Sequence, residues 1–329
     1  MIQRRISHAL GAVAVAAVTA LVAACSGSGA TQTTGTSTGS DADFPRTIAT
    51  AKGDVTIPKK PERVVVLDTA ELDSVTLLGI TPVGAIPPHL SDGEAFPAYL
   101  EDKLNGTTVV GTSAEPKLDL IASLKPDLIL SNKVRHDKIY DQLSTIAPTI
   151  LTETTGFPWK ANLAIHAQAL GKEKEAQTAL AAYEARAKKV GEAIVAKNGG
   201  KAPTVSVTRF MAGKIRMYQK QNFSGVILVD SALARPTSQD ADRFDNEISP
   251  ELIDRADADV VFVSTAVSPE KTQKQAVESS PLWAQMGAVK NGKVIDVKDE
   301  VWMSGIGVQA ANLVLDDLAT AFGVDLQRS

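Results

Sequence analysis

The chain has 329 residues, 44% hydrophobic and 22% charged, with a net charge of −4. That balance belongs to a folded globular protein and lacks the basic excess of a nucleic-acid binder, so nucleic acid is not an expected partner. A single cysteine, Cys25, excludes an internal disulfide.

In chain order, Arg4 and Arg5 precede an apolar stretch from Ala9 to Ala24. The order positive, apolar, then small residues is that of a secretory signal, predicted here over residues 1–24. The run is short for a transmembrane helix, and the segment after it is polar rather than basic. Val22, Ala23 and Ala24 end directly at Cys25, and this stretch resembles a bacterial lipobox. The resemblance implies diacylglycerol on the Cys25 sulfur after cleavage before it; the alternative is a buried structural thiol. Two acyl chains make a stable anchor where one does not. Residues 25–43 are dominated by Ser, Thr and Gly, cannot bury a core, and are expected to form a flexible tether. No later segment is long and apolar enough to cross a membrane.

From Phe44 on, strands and helices alternate. "RVVVLD" (63–68) is a β-branched run suited to a strand buried on both faces. "TAELDSVTLLG" follows with helical spacing and a terminal Gly79. "TPVGAI" reads as the next strand, "KLDLIASLKPDLILSN" as helix then strand, and "HDKIYDQLSTIAPTILTE" repeats that plan. The alternation predicts a parallel sheet and an N-terminal α/β lobe over 44–158. From Lys172 to Lys197 no proline occurs, and Ala176, Leu180, Tyr183, Ala187, Val190 and Ile194 form one apolar stripe. At 1.5 Å per residue this helix is roughly 39 Å long. It is either a surface helix of one domain or a strut between two lobes, within a helical linker over 159–199. "TVSVTRF" and "KIRMYQ" then read as a hairpin around Ala212-Gly213. "SPELIDRADADVVFVST" is helix then strand, "GKVIDV" a short strand and "GVQAANLVLDDLATAF" a closing helix, giving a C-terminal α/β lobe over 200–329.

Six strings, in order, carry a family resemblance: "PERVVVLDTAELDSVTLLGI", "VGTSAEPKLDLIASLKPDLIL", "YDQLSTIAPTI", "ALGKEKEAQTALAAYE", "ISPELIDRADADVVFVS" and "WMSGIGVQAANLVLDDL". The chain resembles the iron-siderophore and vitamin B12 class of substrate-binding lipoproteins of ABC importers. The resemblance implies two α/β lobes joined by one long helix, a ligand cleft between them, and small hinge motion. It further implies a monomer without a resident cofactor, lipid-anchored on the outer face of the cytoplasmic membrane, that carries a ferric siderophore to a permease dimer.

A ferric siderophore presents oxygen atoms around iron, so its receptor needs fork-shaped cations and aromatic walls. In open α/β sheets these belong in loops beyond the strands' carboxyl ends. Arg135 lies in the loop after "DLILSN". Arg209 ends "TVSVTR" beside Phe210, and Arg216 and Tyr218 alternate on one face of "KIRMYQ". Trp302 precedes the closing helix. These five are the expected ligand-binding residues. Arg209 and Arg216 are expected to serve the ligand rather than the fold. Phe157, Trp159 and His89 are further candidates, with Trp159 equally able to pack the lobe junction. Arg209, Arg216 and Tyr218 resemble the pattern of hydroxamate binders; a tris-catecholate complex, triply negative, would want several convergent cations. The family places one acidic residue on the rim of each lobe to pair with permease arginines. Asp119 and Glu251 match those positions, though the family usually has Glu at the first.

Other readings stay open: haem or cobalamin on the same fold, or direct metal binding, for which His89, His136 and His166 are far apart in sequence. An enzyme is the alternative of another class. No Gly-x-Ser-x-Gly, His-Glu-x-x-His or Gly-x-x-x-x-Gly-Lys motif supports one.

Overall fold

The computed structural model describes residues 44–89 and 95–328. The expected signal peptide, the expected lipid attachment at Cys25 and the expected tether lie outside the described residues. Among those described, no helix is long and apolar enough to cross a membrane.

A hairpin comes first, β1 (Arg46–Thr50) with β2 (Gly53–Ile57). The N-terminal lobe then runs β3 (Val64–Val66), α1 (Thr69–Leu77), β4 (Gly84–Ala85), β5 (Thr108–Val109), α2 (Leu118–Ser123), β6 (Leu128–Asn132), α3 (Lys133–His136), α4 (Tyr140–Ile146) and β7 (Thr149–Thr152). Its sheet has the order β5-β4-β3-β6-β7 and is parallel throughout. Two helices follow, α5 (Trp159–Leu170) and α6 (Glu173–Lys197). They are separated at Gly171, whose φ of 66° is the left-handed C-terminal stop that glycine adopts without strain.

The C-terminal lobe contains β8 (Val205–Met211), β9 (Lys214–Tyr218), α7 (Phe223–Asp230), β10 (Asp245–Ile248) and β11 (Val260–Thr265). Three short helices follow, α8 (Lys274–Glu278), α9 (Pro281–Gln285) and α10 (Gly287–Lys290). Then come β12 (Val294–Asp296), α11 (Asp299–Trp302) and α12 (Val308–Phe322). The sheet order is β10-β9-β8-β11-β12; β9 runs antiparallel to both neighbours, and β8, β11 and β12 are parallel.

The period-2 pleat explains why these strands read as unbroken apolar runs. Val64, Val66, Leu128 and Leu130 face a central core, while Val65, Leu67 and Ile129 face a separate outer cluster. In the second lobe Val205, Val207, Val260 and Phe262 join the same central core, and Val261 and Val263 face their own outer one. One apolar core therefore runs through both lobes. The predicted stripe of α6 supplies Ala176, Tyr183, Ala187, Val190 and Ile194 to it. Gly191 of α6 allows a close approach, since a Cβ there would lie 1.9 Å from the Ser231 carbonyl oxygen at the end of α7.

Three local expectations change. Arg135 sits not in a loop but in the one-turn helix α3, because the Asn132 side chain caps it by accepting the Arg135 N–H (3.2 Å). Trp302 likewise ends the short helix α11. Pro250–Ala256 is a 3-10 segment rather than an α-helix.

A buried acid fastens α1 to α12. Asp73 of α1 accepts the N–H groups of Gln309 and Ala310 in the first turn of α12, each at 3.1 Å. The residue preceding α12, Gly307, has no capping side chain, so Asp73 caps the helix from α1. A Cβ on Gly307 would lie 2.2 Å from the Asp73 carboxylate, so glycine alone fits. Burial pushes the Asp73 carboxyl up to about 6, against the helix N–H groups that favour its charge.

Candidate ligand-binding cleft

A cleft of about 390 Å³ opens between the lobes. Its N-terminal wall comes from residues just beyond the carboxyl ends of strands: Asp68 after β3, His89 after β4, Arg135 after β6 and Thr154 after β7. This is where an open parallel sheet leaves helix starts and loops free to meet a ligand. The opposite wall is built on β8 and β9 themselves and on the residues around α11.

All five sequence-predicted ligand residues, Arg135, Arg209, Arg216, Tyr218 and Trp302, line this one cleft. Their surroundings differ. Arg209 and Arg216 are directly opposed across β8 and β9. Like charges so placed repel, and each is neutralised locally. Arg209 is 6% exposed and grips Asp299 with two bonds, Nε to Oδ1 at 2.7 Å and Nη2 to Oδ2 at 2.6 Å. Its Nη1 donates to the Tyr218 hydroxyl (3.2 Å). Asp299 also accepts from Ser264 (3.2 Å) and Ser304 (3.4 Å), so this pair ties β8 to β11 and to the loop after α11. Arg209 therefore serves the fold as well as the cleft, which the sequence did not lead us to expect. Arg216 lies 2.9 Å from Asp245 and donates to Glu247 at 2.8 and 3.0 Å.

Arg135 stands on the other wall with its side chain 24% exposed. Among the described residues only its Nε is engaged, donating to Asp68 at 3.1 Å. Tyr218 meets Phe244 edge-on, with ring centroids 5.5 Å apart. Trp302 has no exposed surface; it stacks on Phe262 at 4.4 Å and donates to Asp317 (2.7 Å), so it supports the floor from beneath. Trp159 is buried against Tyr183 and Phe223 and lies outside the cleft lining. Phe157, 48% exposed, is also outside that lining.

Sequence reasoning missed Asp68, the Thr154–Gly156 loop, the Asn222–Ser224 helix start and Phe244, all of which line the cleft. A signal existed for the helix start: Asn222 precedes an apolar run, and its side chain accepts the Gly225 N–H (2.8 Å) as an N-cap does. Phe244 and strand β10 carried none, since an edge strand beside charged residues has no apolar alternation.

The histidines are held separately. The His136 Nε2–H donates to the Ser113 carbonyl (3.0 Å), leaving Nδ1 to accept from the Ser131 hydroxyl (2.6 Å). His166 is buried in α5, and His89 lines the exposed cleft. Among the described residues no group of three or more His, Cys, Asp or Glu could hold a metal ion.

Beneath the N-terminal wall lies an unusual carboxyl. Glu71 is fully buried; burial, then the Asp68 charge, push it up to about 8. Burial pulls the neighbouring His166 down to about 3, and its Nε2 lies 3.8 Å from Glu71 Oε1. The folded state thus holds a proton that the unfolded chain loses near the ordinary Glu value of about 4.3. The contribution of Glu71 to folding stability is full below that value and is lost as pH rises toward 8. Glu71→Gln, which keeps the shape and needs no proton, is expected to flatten that slope and to melt about 5 °C above wild type at pH 8.5. Thermal melts from pH 5 to 9 decide it; identical slopes in both proteins would mean that Glu71 is already ionised in the fold.

Residues 64–301, which carry the cleft lining except Trp302, Met303, Ser304 and Ile306, match the family model described as periplasmic binding protein. The chain belongs to the periplasmic binding protein family. This periplasmic binding protein is 38% identical over 277 residues to the "Probable siderophore-binding lipoprotein YfiY" of Bacillus subtilis, covering 81% of this chain and 84% of that one. It is 31% identical over 314 residues to the Fe(3+)-citrate-binding protein YfmC of the same organism, covering 92% and 95%. Among solved structures, Staphylococcus aureus SirA complexed with staphyloferrin B superposes with a TM-score of 0.78 at 32% identity. That match covers 86% of this chain and 100% of SirA.

Proposed function

We propose that this periplasmic binding protein captures a ferric siderophore in the cleft and hands it to the permease of an ABC importer, held to the outer face of the cytoplasmic membrane by acyl chains on Cys25. The observation that carries the reading is the convergence of Arg135, Arg209 and Arg216 from both walls on one cleft. Guanidinium groups donate to the oxygen shell of an iron chelate without touching the metal, so the protein needs no metal ligands of its own. Siderophore and ferric-citrate binding in the names of its relatives supports the same conclusion. The chain acts as a carrier, not as a catalyst.

The hydroxamate expectation rests on the resemblance of Arg209, Arg216 and Tyr218 to the pattern of hydroxamate binders. A second reading, an anionic carboxylate chelate of the citrate kind, is favoured by the third guanidinium that the opposite wall adds. One titration separates them. Trp302 lies under the cleft floor, so a bound iron chelate should quench its fluorescence. Saturable quenching by ferric hydroxamate or ferric citrate, without response to haem, cobalamin or metal-free ligand, is the expected result. Response to haem or cobalamin alone would sink the siderophore reading. Cys25→Ala should abolish labelling with radioactive palmitate in cells while leaving binding in solution unchanged; labelling that persists would disprove the anchor.

A further inference from the structure

We propose that Asp68 is the positioning residue of the cleft: it takes the Nε–H of Arg135 and so turns that guanidinium's remaining donors toward the bound chelate. The inference rests on the reading of the cleft as a ferric-chelate site. A carboxylate in the wall of such a site is unexpected, because it repels the chelate oxygens that the arginines attract. Asp68 lines the cleft nevertheless, only 3% exposed.

Its bonds show what it does. Asp68 Oδ1 accepts the Thr69 N–H at 2.8 Å, capping α1. Oδ2 accepts from the Asn132 amide at 2.9 Å and from Arg135 Nε at 3.1 Å. Asn132 in turn caps α3 by accepting the Arg135 N–H at 3.2 Å. Backbone and side chain of Arg135 are thus both tied to the Asp68–Asn132 pair, which stands at the ends of the adjacent strands β3 and β6. Arginine has five N–H donors in a rigid fork. With Nε held by a buried carboxylate, the two Nη groups have one orientation rather than many, and less entropy is lost when they bond a ligand.

The layer below completes the arrangement. The Asn132 amide also reaches Glu71 Oε1 at 3.4 Å. Glu71 is buried and keeps its proton at neutral pH, as argued above, so Asp68 is the anion to which Arg135 is bonded.

The opposing effects of the Asp68 charge make the test decisive in sign. Ferric citrate and a ferric trihydroxamate are first titrated against wild type, and the tighter is used thereafter. If neither binds, the ferric-chelate reading fails and the positioning role with it. With binding in hand, Asp68→Asn removes a negative charge from the wall and keeps a good helix cap. If Asp68 only capped α1, the chelate would bind as well or better. If Asp68 positions Arg135, affinity falls about tenfold, the size of a charged hydrogen bond lost to disorder. In an Arg135→Ala background the same change should cause no further loss, because the group it acts on is gone. Unchanged or tighter binding by Asp68→Asn, or losses that add in the double variant, overturns the assignment. Should Asp68→Asn fail to fold, Arg135→Lys carries the test, since it keeps the charge but cannot bond Asp68 and the chelate as one fork. About tenfold weaker binding is expected there too, and wild-type affinity would overturn it.

Discussion

Arg209→Ala is expected to lower both stability and affinity. The guanidinium and the Asp299 carboxylate are bonded twice, with side chains only 7% and 16% exposed. Removing one partner of such a pair leaves the other charge poorly solvated, at a cost of about 3 kcal/mol. For a chain of this size that corresponds to a fall in melting temperature of roughly 5–10 °C. Binding of the ferric chelate should weaken at least tenfold, because the cleft loses this guanidinium and the Tyr218 hydroxyl loses the Nη1 donor that holds it. The double variant Arg209→Ala, Asp299→Ala separates the two effects. It should recover much of the melting temperature, as the orphaned carboxylate is gone, and none of the affinity. A melting curve unchanged by Arg209→Ala alone would show that the pair does not hold the loop after α11. Unchanged affinity would remove Arg209 from the site.

Reversing the charges of Asp119 and Glu251 should abolish siderophore uptake by cells while leaving chelate binding in solution intact. Both residues are exposed. Asp119 is in the first turn of α2, which leads into β6; Glu251 is in the first turn of the 3-10 segment that leads into β11. β6 pairs with β3 and β11 pairs with β8, the opening strand of each sheet, so the two acids occupy corresponding places. An acid in a first turn also favours the helix dipole, and the Ser249 hydroxyl holds the Glu251 carboxyl below its ordinary value. Neither residue lines the cleft. Asp119→Arg with Glu251→Arg therefore changes the rim of each lobe and not the ligand site. Normal uptake by that variant would dismiss the docking role. Lost binding in solution would mean that the acids act on the fold instead.

The chain's own pattern determined the architecture. The β-branched apolar runs around Val64–Val66 and Val260–Thr265 read as strands covered on both faces, and the proline-free stripe from Ala176 to Ile194 reads as a long helix. Composition, run length and the 3.6-residue period are local, legible without any long-range contact. Arginine and tyrosine in or just after predicted strands pointed to Arg135, Arg209, Arg216 and Tyr218, although Arg209 and Arg216 lie within β8 and β9 rather than beyond a strand end. Tertiary structure alone decided how each of them stands. Asp68 and Asn132 meet because β3 and β6 are neighbours although 64 residues apart. Asp299 reaches Arg209 from 90 residues away, which makes that arginine part of the fold as well as the cleft. Asp73 caps α12 across a separation of 237 residues. The partner of a buried charge is set by sheet order and lobe packing, and no local period encodes either.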